Sequence, residues 1–146
     1  MSYEHVSAVP NELSRLTWIQ DHLSRLAQEG CTLSLLDVGA GTGRWKKSAV
    51  GLGYTYRSHD FSQYVPSGNF RGLHDSSFVY PQHDYVCDIM EIPEAASADI
   101  VLCSEVLEHV PDPVAAFHKL VTLVKPQGTL LVTVPFLSLM HQAPYY

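Results

Sequence analysis

The sequence predicts an α/β fold built around a mainly parallel sheet, and three observations lead to that expectation. Residues 33–37 form an apolar run that ends at an acid, as a buried strand does when it enters a turn. Three glycines follow at alternate positions, and residues 45–50 can then begin a helix. Residues 98–103 are apolar enough to be buried on both faces of a sheet. We expect one domain spanning residues 1–146.

The composition is that of a globular protein. Of 146 residues, 46% are hydrophobic and 16% are charged, and the formal net charge is −6. This acidic balance argues against nucleic-acid binding, and no run reaches the ~18 apolar residues of a membrane span. The three cysteines are widely spaced, which favours reduced thiols. We therefore expect a cytoplasmic protein that binds no nucleic acid and has no membrane span.

The first half of the chain predicts two helices and a second strand. A helix is expected over residues 11–28, because Asn11 can cap it and its leucines share one face. A shorter helix is expected over residues 44–52, and a strand over residues 54–58 with Asp60 just after it. Residues 63–84 show no helical or strand period, and loops of this length often form lids or binding loops.

The second half predicts three strands and one helix. Strands are expected at residues 85–89, 98–103 and 129–135, the last after a turn at residues 125–128. Asp112 can cap a helix over residues 114–124. This helix is predicted to bury its large apolar side chains, namely Val114, Phe117, Leu120, Val121 and Val124.

The glycine-rich run predicts a binding edge of the nucleotide type. Gly39, Gly41 and Gly43 allow positive φ and a close approach of ligand to backbone. A dinucleotide site needs G-x-G-x-x-G, but Arg44 stands where the last glycine would fall, which disfavours a nicotinamide-dependent oxidoreductase. Asp60 follows Asp37 at the interval from which an acid after a second strand can accept both ribose hydroxyls. The alternative is an ordinary surface aspartate in a turn.

Three segments together resemble a known family. The run D-V-G-A-G-T-G, led by Asp37, resembles the first motif of class I S-adenosylmethionine-dependent methyltransferases. The run V-L-C-S-E-V-L-E-H-V with a following D-P is close to the motif after the fourth strand of type-11-like methyltransferases. The run L-V-K-P-Q-G-T-L-L-V-T-V-P-F matches the family's next turn and strand, with Gln127 in place of a glycine. The resemblance covers residues 34–146.

The resemblance implies a Rossmann-like, doubly wound sheet with helices on both faces, of which this chain contains five of seven strands. It implies S-adenosylmethionine as cofactor and S-adenosylhomocysteine as product. Asp37 would lie near the amino group of the cofactor, Asp88 would accept from the adenine amino group, and Ile89 would pack on the ring. The full set of implied cofactor-binding residues is Asp37, Gly39, Ala40, Gly41, Gly43, Asp60, Phe61, Asp88, Ile89, Ser104 and Glu105.

Catalytic residues are expected in the loops after the fourth and fifth strands. His109 and His141 are the best candidates for a base, with Glu105 and Tyr145 behind them. His109 can instead serve the structure by tying Glu108 to the start of the next helix. The histidines and cysteines show no ligand spacing, so we expect no metal site.

The sequence predicts methyl transfer to a small-molecule or sugar-like acceptor. The alternative is a non-catalytic cofactor-binding remnant, or a structural module, that has lost its acceptor half. With five of seven strands, the fifth would leave an apolar edge open. Either the sequence is a fragment or another chain covers this edge, and we expect self-association through it as a homo-oligomer.

Overall fold

The computed structural model describes residues 12–27, 32–62 and 81–135. Its helices and strands in chain order are α1 (Glu12–Leu26), β1 (Ser34–Val38), α2 (Lys46–Gly51), β2 (Thr55–Asp60), β3 (Tyr85–Val86), β4 (Ala98–Ser104), α3 (Pro113–Thr122) and β5 (Val124–Thr133). Short 3₁₀ turns lie at Ile89–Glu91, Glu94–Ala96 and Leu107–His109.

The five strands form one parallel sheet in the order β3-β2-β1-β4-β5. This confirms the predicted α/β class. Because the strands are parallel, all their carboxyl ends meet along one side of the sheet, called here the carboxyl edge. Ligands of such sheets bind outside that edge, where the strand order reverses. In this sheet the order reverses at β1, whose neighbours are β2 and β4.

The core has two layers, one on each face of the sheet. Strand β1 contributes to both, since alternate side chains of a strand point to opposite faces. Leu35 packs with Ile19 and Leu23 of α1, whereas Leu36 and Val38 pack with residues of α3. All five side chains are fully buried. The central strand is thus covered by helices on both sides, as the sequence predicted.

Helix α3 buries a different face from the one the sequence predicted. Leu120 is buried as expected, but Val114 is 66% exposed and Phe117 is 42% exposed. The helix also ends at Thr122, so that Leu123 is buried just beyond it and Val124 begins β5. Apolar residues occupy two faces of this helix. The face carrying the small Ala116 packs on the sheet, where a small side chain allows close approach.

The turn predicted at residues 125–128 lies inside β5 as an irregularity of the strand. Val124 pairs with Ala98 and Thr129 pairs with Ile100, so four residues of β5 stand opposite Asp99 alone. Lys125 Nζ lies 3.0 Å from Asp99 Oδ2, and the Ser34 amide donates to the same oxygen at 2.8 Å. These bonds hold β1, β4 and β5 together at their amino ends.

Other boundaries differ by a few residues. Strand β2 includes Asp60, which was expected just beyond it. Strand β3 has only two residues, because the Asp88 side chain accepts from the Met90 amide and starts a 3₁₀ turn instead. Helix α2 begins at Lys46, after a turn through residues 41–45. In the described parts of the chain, every helix is too short or too polar to cross a membrane.

Candidate functional site

The glycine turn, residues 39–43, leaves the end of β1 and is tied to the end of β2. Gly39, Gly41 and Gly43 have φ values of +70°, +53° and +74°, a region that suits glycine. The amides of Gly39 and Ala40 both donate to the carbonyl oxygen of His59 at 2.9 Å. The turn is therefore held at the carboxyl edge by backbone bonds, at the point where the strand order reverses.

Gly39 is also the place where the turn meets the segment that follows β4. A Cβ added to Gly39 would lie 2.2 Å from Cγ2 of Val106. Only a residue without a side chain leaves room for Val106 at this distance. At Gly41, by contrast, a Cβ would meet no atom of the described residues within 4 Å. The turn is thus closed on one side by Val106 and open at Gly41.

Asp60 ends β2 and faces the glycine turn. Its Oδ2 accepts from the Gly41 amide at 2.8 Å, and its Oδ1 accepts from the Ser62 amide at 2.8 Å. A carboxylate has about four acceptor positions. The Ser62 hydroxyl also donates to Oδ1 at 3.5 Å, whereas Oδ2 can accept one further hydrogen bond. Phe61, the next residue, is 49% exposed. An anchored carboxylate, open space at Gly41 and an exposed ring together fit a ribose and its base.

Asp37 is buried beside the turn with 2% exposure. The hydroxyl of Tyr56 donates to its Oδ2 at 2.7 Å. Burial raises the pKa of Asp37 to about 6, Tyr56 acts in the opposite direction, and the charge of Asp60 adds to the rise. A carboxylate in this setting gains from a cation placed next to it.

The segment after β4 brings further predicted residues to the carboxyl edge. The hydroxyl of Ser104 is 2.9 Å from that of Thr133 on β5. Glu105 has a φ of +57°, and its Oε2 accepts from Arg15 of α1 at 2.6 Å. The ion pair between Arg15 and Glu105, whose side chains are mostly buried, therefore links helix α1 to the carboxyl edge.

His109 ends the 3₁₀ turn in the same segment. Its Nε2 lies 3.8 Å from Oε1 of Glu108, and the side chain of His109 is 36% exposed against 10% for Glu108. Burial raises the pKa of Glu108 to about 7, to which the charge of Glu105 contributes, while Arg15 acts in the opposite direction. The structure therefore places a carboxyl group that titrates near neutral pH beside the predicted base.

Asp88 and Ile89 follow β3 and lie at the carboxyl edge of the sheet. Asp88 is exposed, and its Oδ1 accepts from the Met90 amide at 2.8 Å. Ile89 is 6% exposed and packs in the core on the α3 side. Only a small part of its surface is thus left for a ligand. His141, Tyr145 and most of the predicted loop, residues 63–80, lie outside the described residues.

Sequence reasoning missed Arg15, Tyr56 and His59 as parts of this site. His59 supplies the carbonyl that holds the turn, and its buried ring lies with Nε2 3.0 Å from the Cys87 carbonyl oxygen. Tyr56 could have been found, since Tyr56, Ser58 and Asp60 share one face of β2 by strand alternation. Nothing local marks Arg15, whose position depends on how α1 packs against the sheet.

Within residues 12–27, 32–62 and 81–135, no group of three or more histidine, cysteine or acidic side chains is placed to hold a metal ion. Asp37, Asp60 and Glu105 instead take hydrogen bonds from Tyr56, from backbone amides and from Arg15.

Comparison with known proteins agrees with this geometry. A family model described as a methyltransferase domain matches residues 2–145. A ubiquinone biosynthesis O-methyltransferase of Paraburkholderia phytofirmans is 35% identical over 115 residues, covering 78% of this chain and 47% of that protein. One from Xanthomonas oryzae pv. oryzae is 35% identical over 111 residues, covering 75% and 44%. The chain spans about half the length of the curated relatives that it matches.

Solved structures share the fold at lower identity. The N-methyltransferase NodS from Bradyrhizobium japonicum, in complex with S-adenosylhomocysteine, has a TM-score of 0.53 and 19% identity, covering 84% of this chain and 62% of its own. The plantazolicin methyltransferase BpumL, in complex with the same compound, has a TM-score of 0.57 and 16% identity, covering 82% and 46%.

Proposed function

Since the chain belongs to the class I S-adenosylmethionine-dependent methyltransferase family, we propose that it binds this cofactor along its glycine turn and that a hydroxyl group of a small molecule receives the methyl group. One observation carries the binding part of the proposal. Asp60 is hydrogen-bonded to the Gly41 amide at the point where the strand order reverses, and its Oδ2 keeps acceptor capacity.

The charges around the turn suit the two ends of an amino acid. Asp60 would accept from the ribose hydroxyls, with Phe61 beside the base. Asp37 would face the amino group, whose positive charge would favour the ionised carboxylate in its buried position. Arg15, which already binds the Glu105 carboxylate, would offer its guanidinium to the cofactor's carboxylate. The amino and carboxylate groups of the ligand would then each have a partner of opposite charge.

The residues have a limited catalytic task. The cofactor supplies a methyl group on a positively charged sulfur, from which it can be transferred without further activation. The chain must hold the acceptor in line and keep water out. His109 is half-exposed at the carboxyl edge and would take the proton that a hydroxyl acceptor loses. His141 is a second candidate for this role.

The acceptor class is proposed from the relatives. The curated relatives reported above are named ubiquinone biosynthesis O-methyltransferases, which act on oxygen by name. The net charge of −6 gives no basis for a nucleic-acid substrate. We therefore favour a small, hydroxyl-bearing acceptor for this chain, with a sugar-like or aromatic ring as the two forms to be tested.

Calorimetry with S-adenosylmethionine and S-adenosylhomocysteine tests the binding part. Asp60→Asn should weaken binding roughly 10- to 100-fold, because a neutral amide replaces a charged acceptor of two hydrogen bonds. Asp21→Asn is the matched control, since Asp21 is exposed on α1. If the full chain binds neither compound, or if both variants bind as the wild type does, the proposal is wrong.

Transfer is tested separately with labelled cofactor and a panel of phenols, sugars and amines. Methylation of a hydroxyl compound supports the proposed reaction, and methylation of amines alone contradicts the assignment to oxygen. Cofactor binding without transfer to any compound would favour the alternative, in which this chain is a cofactor-binding module whose acceptor half has been lost.

A further inference from the structure

We propose that Glu108 is a positioning residue for His109, holding its imidazole ready to take a proton from the acceptor; this inference rests on the function proposed above. The two side chains are neighbours in the 3₁₀ turn after β4, with 3.8 Å between Glu108 Oε1 and His109 Nε2. Glu108 is 10% exposed and His109 is 36% exposed. A buried carboxyl group thus supports a ring that reaches toward solvent at the carboxyl edge.

The surroundings bring the titration of this carboxyl group close to neutral pH. Burial raises the pKa of Glu108 to about 7, and Glu105 adds to the rise while Arg15 opposes it. The Arg15 guanidinium donates to Glu105 Oε2 at 2.6 Å, so its positive charge acts on Glu105 as well as on Glu108. The charge of Glu108 in turn acts on Cys103 of β4. Burial and the charges of Glu108 and Asp37 raise the pKa of the Cys103 thiol to about 12.

Helix α3 packs against the same 3₁₀ turn and is the other source of charge. Its titratable side chains are His118, which is exposed, and Lys119, which acts on the Cys87 thiol. Asp112 is engaged as the cap of α3. Among the described residues, the charges that act on Glu108 include those of Glu105 and Arg15.

This arrangement gives Glu108 two effects on proton transfer. An ionised Glu108 at 3.8 Å from Nε2 would favour a proton on that nitrogen, so that the ring would take a new proton on Nδ1. The imidazolium that forms is then stabilised by the adjacent negative charge, as in other carboxylate–histidine pairs. The hydroxyl proton of the acceptor would end on His109, and the acceptor oxygen would use its electron pair to bond the methyl carbon. The bond between this carbon and the cofactor's sulfur would break, with its electron pair left on sulfur.

The direct test is an NMR titration of His109 in the full chain. A His109→Asn variant assigns the resonance among the eight histidines. In Glu108→Gln the pKa of His109 should fall by about one unit, because a neighbouring negative charge stabilises the protonated ring. In Glu108→Asp the pKa of His109 should lie between these two values. In Glu94→Gln, which changes an exposed acid elsewhere, the pKa of His109 should equal that of the wild type. Equal His109 titration in wild type and Glu108→Gln overturns the proposal.

Kinetics then separate this inference from the proposed function. With a hydroxyl acceptor, Glu108→Gln should lower kcat about tenfold with little change in KM, and move the acidic limb of kcat/KM to lower pH. An unchanged pH profile contradicts the role of Glu108 even where transfer is normal. A wild-type chain that binds cofactor but transfers no methyl group contradicts the proposed function, and the NMR comparison still decides the pairing.

Discussion

Gly39 joins the glycine turn to the segment after β4, and its replacement should be costly. In Gly39→Ala the new Cβ would lie 2.2 Å from Val106 Cγ2, and alanine would have to adopt a φ of +70°. We expect a loss of roughly 2–4 kcal/mol in the free energy of unfolding, from overpacking together with backbone strain. Urea denaturation followed by circular dichroism measures it.

Gly51 supplies the control for this substitution. It ends α2 at a negative φ, and in the part of the chain that the structure describes no atom lies within 4 Å of a Cβ placed there. Gly51→Ala should leave stability unchanged or raise it by up to about 1 kcal/mol, since alanine is the better helix former. Equal stability of the Gly39 and Gly51 variants would show that Val106 and the turn do not constrain each other.

At the scale of residues, the sequence predicted those parts of the site that belong to local patterns. The three glycines and Asp60 could be assigned because turn geometry and the end of a strand depend on neighbours in sequence. Arg15 could not, because its partner Glu105 is 90 residues away and meets it only through the packing of α1. The link between Gly39 and Val106 likewise requires knowing that β1 and β4 are neighbours.

Among the elements, α3 has the best defined start. The Asp112 side chain accepts from the Ala115 amide at 2.9 Å, and Pro113 occupies the first turn. Asp112→Ala should lower the free energy of unfolding by about 1 kcal/mol, while Asp112→Asn, which keeps an acceptor, should lose much less. Thermal melts of the two variants measure this, and equal melting temperatures would show that the cap contributes nothing.

The elements also show where sequence patterns stop being sufficient. The start of α3 was predictable because a cap and a proline are local signals. Its buried face was not, because Val114 and Phe117 lie on an apolar face that competes with the face of Ala116. Strand β3 was predicted over residues 85–89 but has only two residues. The Asp88 side chain bonds the Met90 amide, which favours a turn over a continued strand.

For the whole molecule, the open question is what covers β5, which lies at one end of the sheet order. We expect self-association through this edge, detected by sedimentation velocity over a range of concentrations. Val134 lies just after β5 and is 53% exposed, so a charge placed there should disrupt the association. Val50 on α2 is 56% exposed and is the control position. Val134→Lys should shift the distribution toward monomer, whereas Val50→Lys should not.

A wild-type chain that sediments as a monomer at every concentration would rule out this association. The resemblance of three motifs predicted a doubly wound, mainly parallel sheet but not the order of its strands. The periodicity of apolar residues predicts where strands lie in the chain, but it does not predict which strands pair with each other in the sheet. Pairing between strands far apart in the chain leaves no local signal, so what covers the edge could not be derived from the pattern of residues.

The central position of β1 has a consequence for how the chain acquires its structure. Strand β1 ends at Val38, but its second neighbour begins only at Ala98. During synthesis from the amino terminus, the most buried strand must therefore wait for about sixty further residues before its second side is paired. Val106, which closes the glycine turn, emerges later still. The ligand site would therefore form only after β4 and Val106 have emerged, so the nascent chain has a long interval in which chaperones can recognise its unpaired apolar strand.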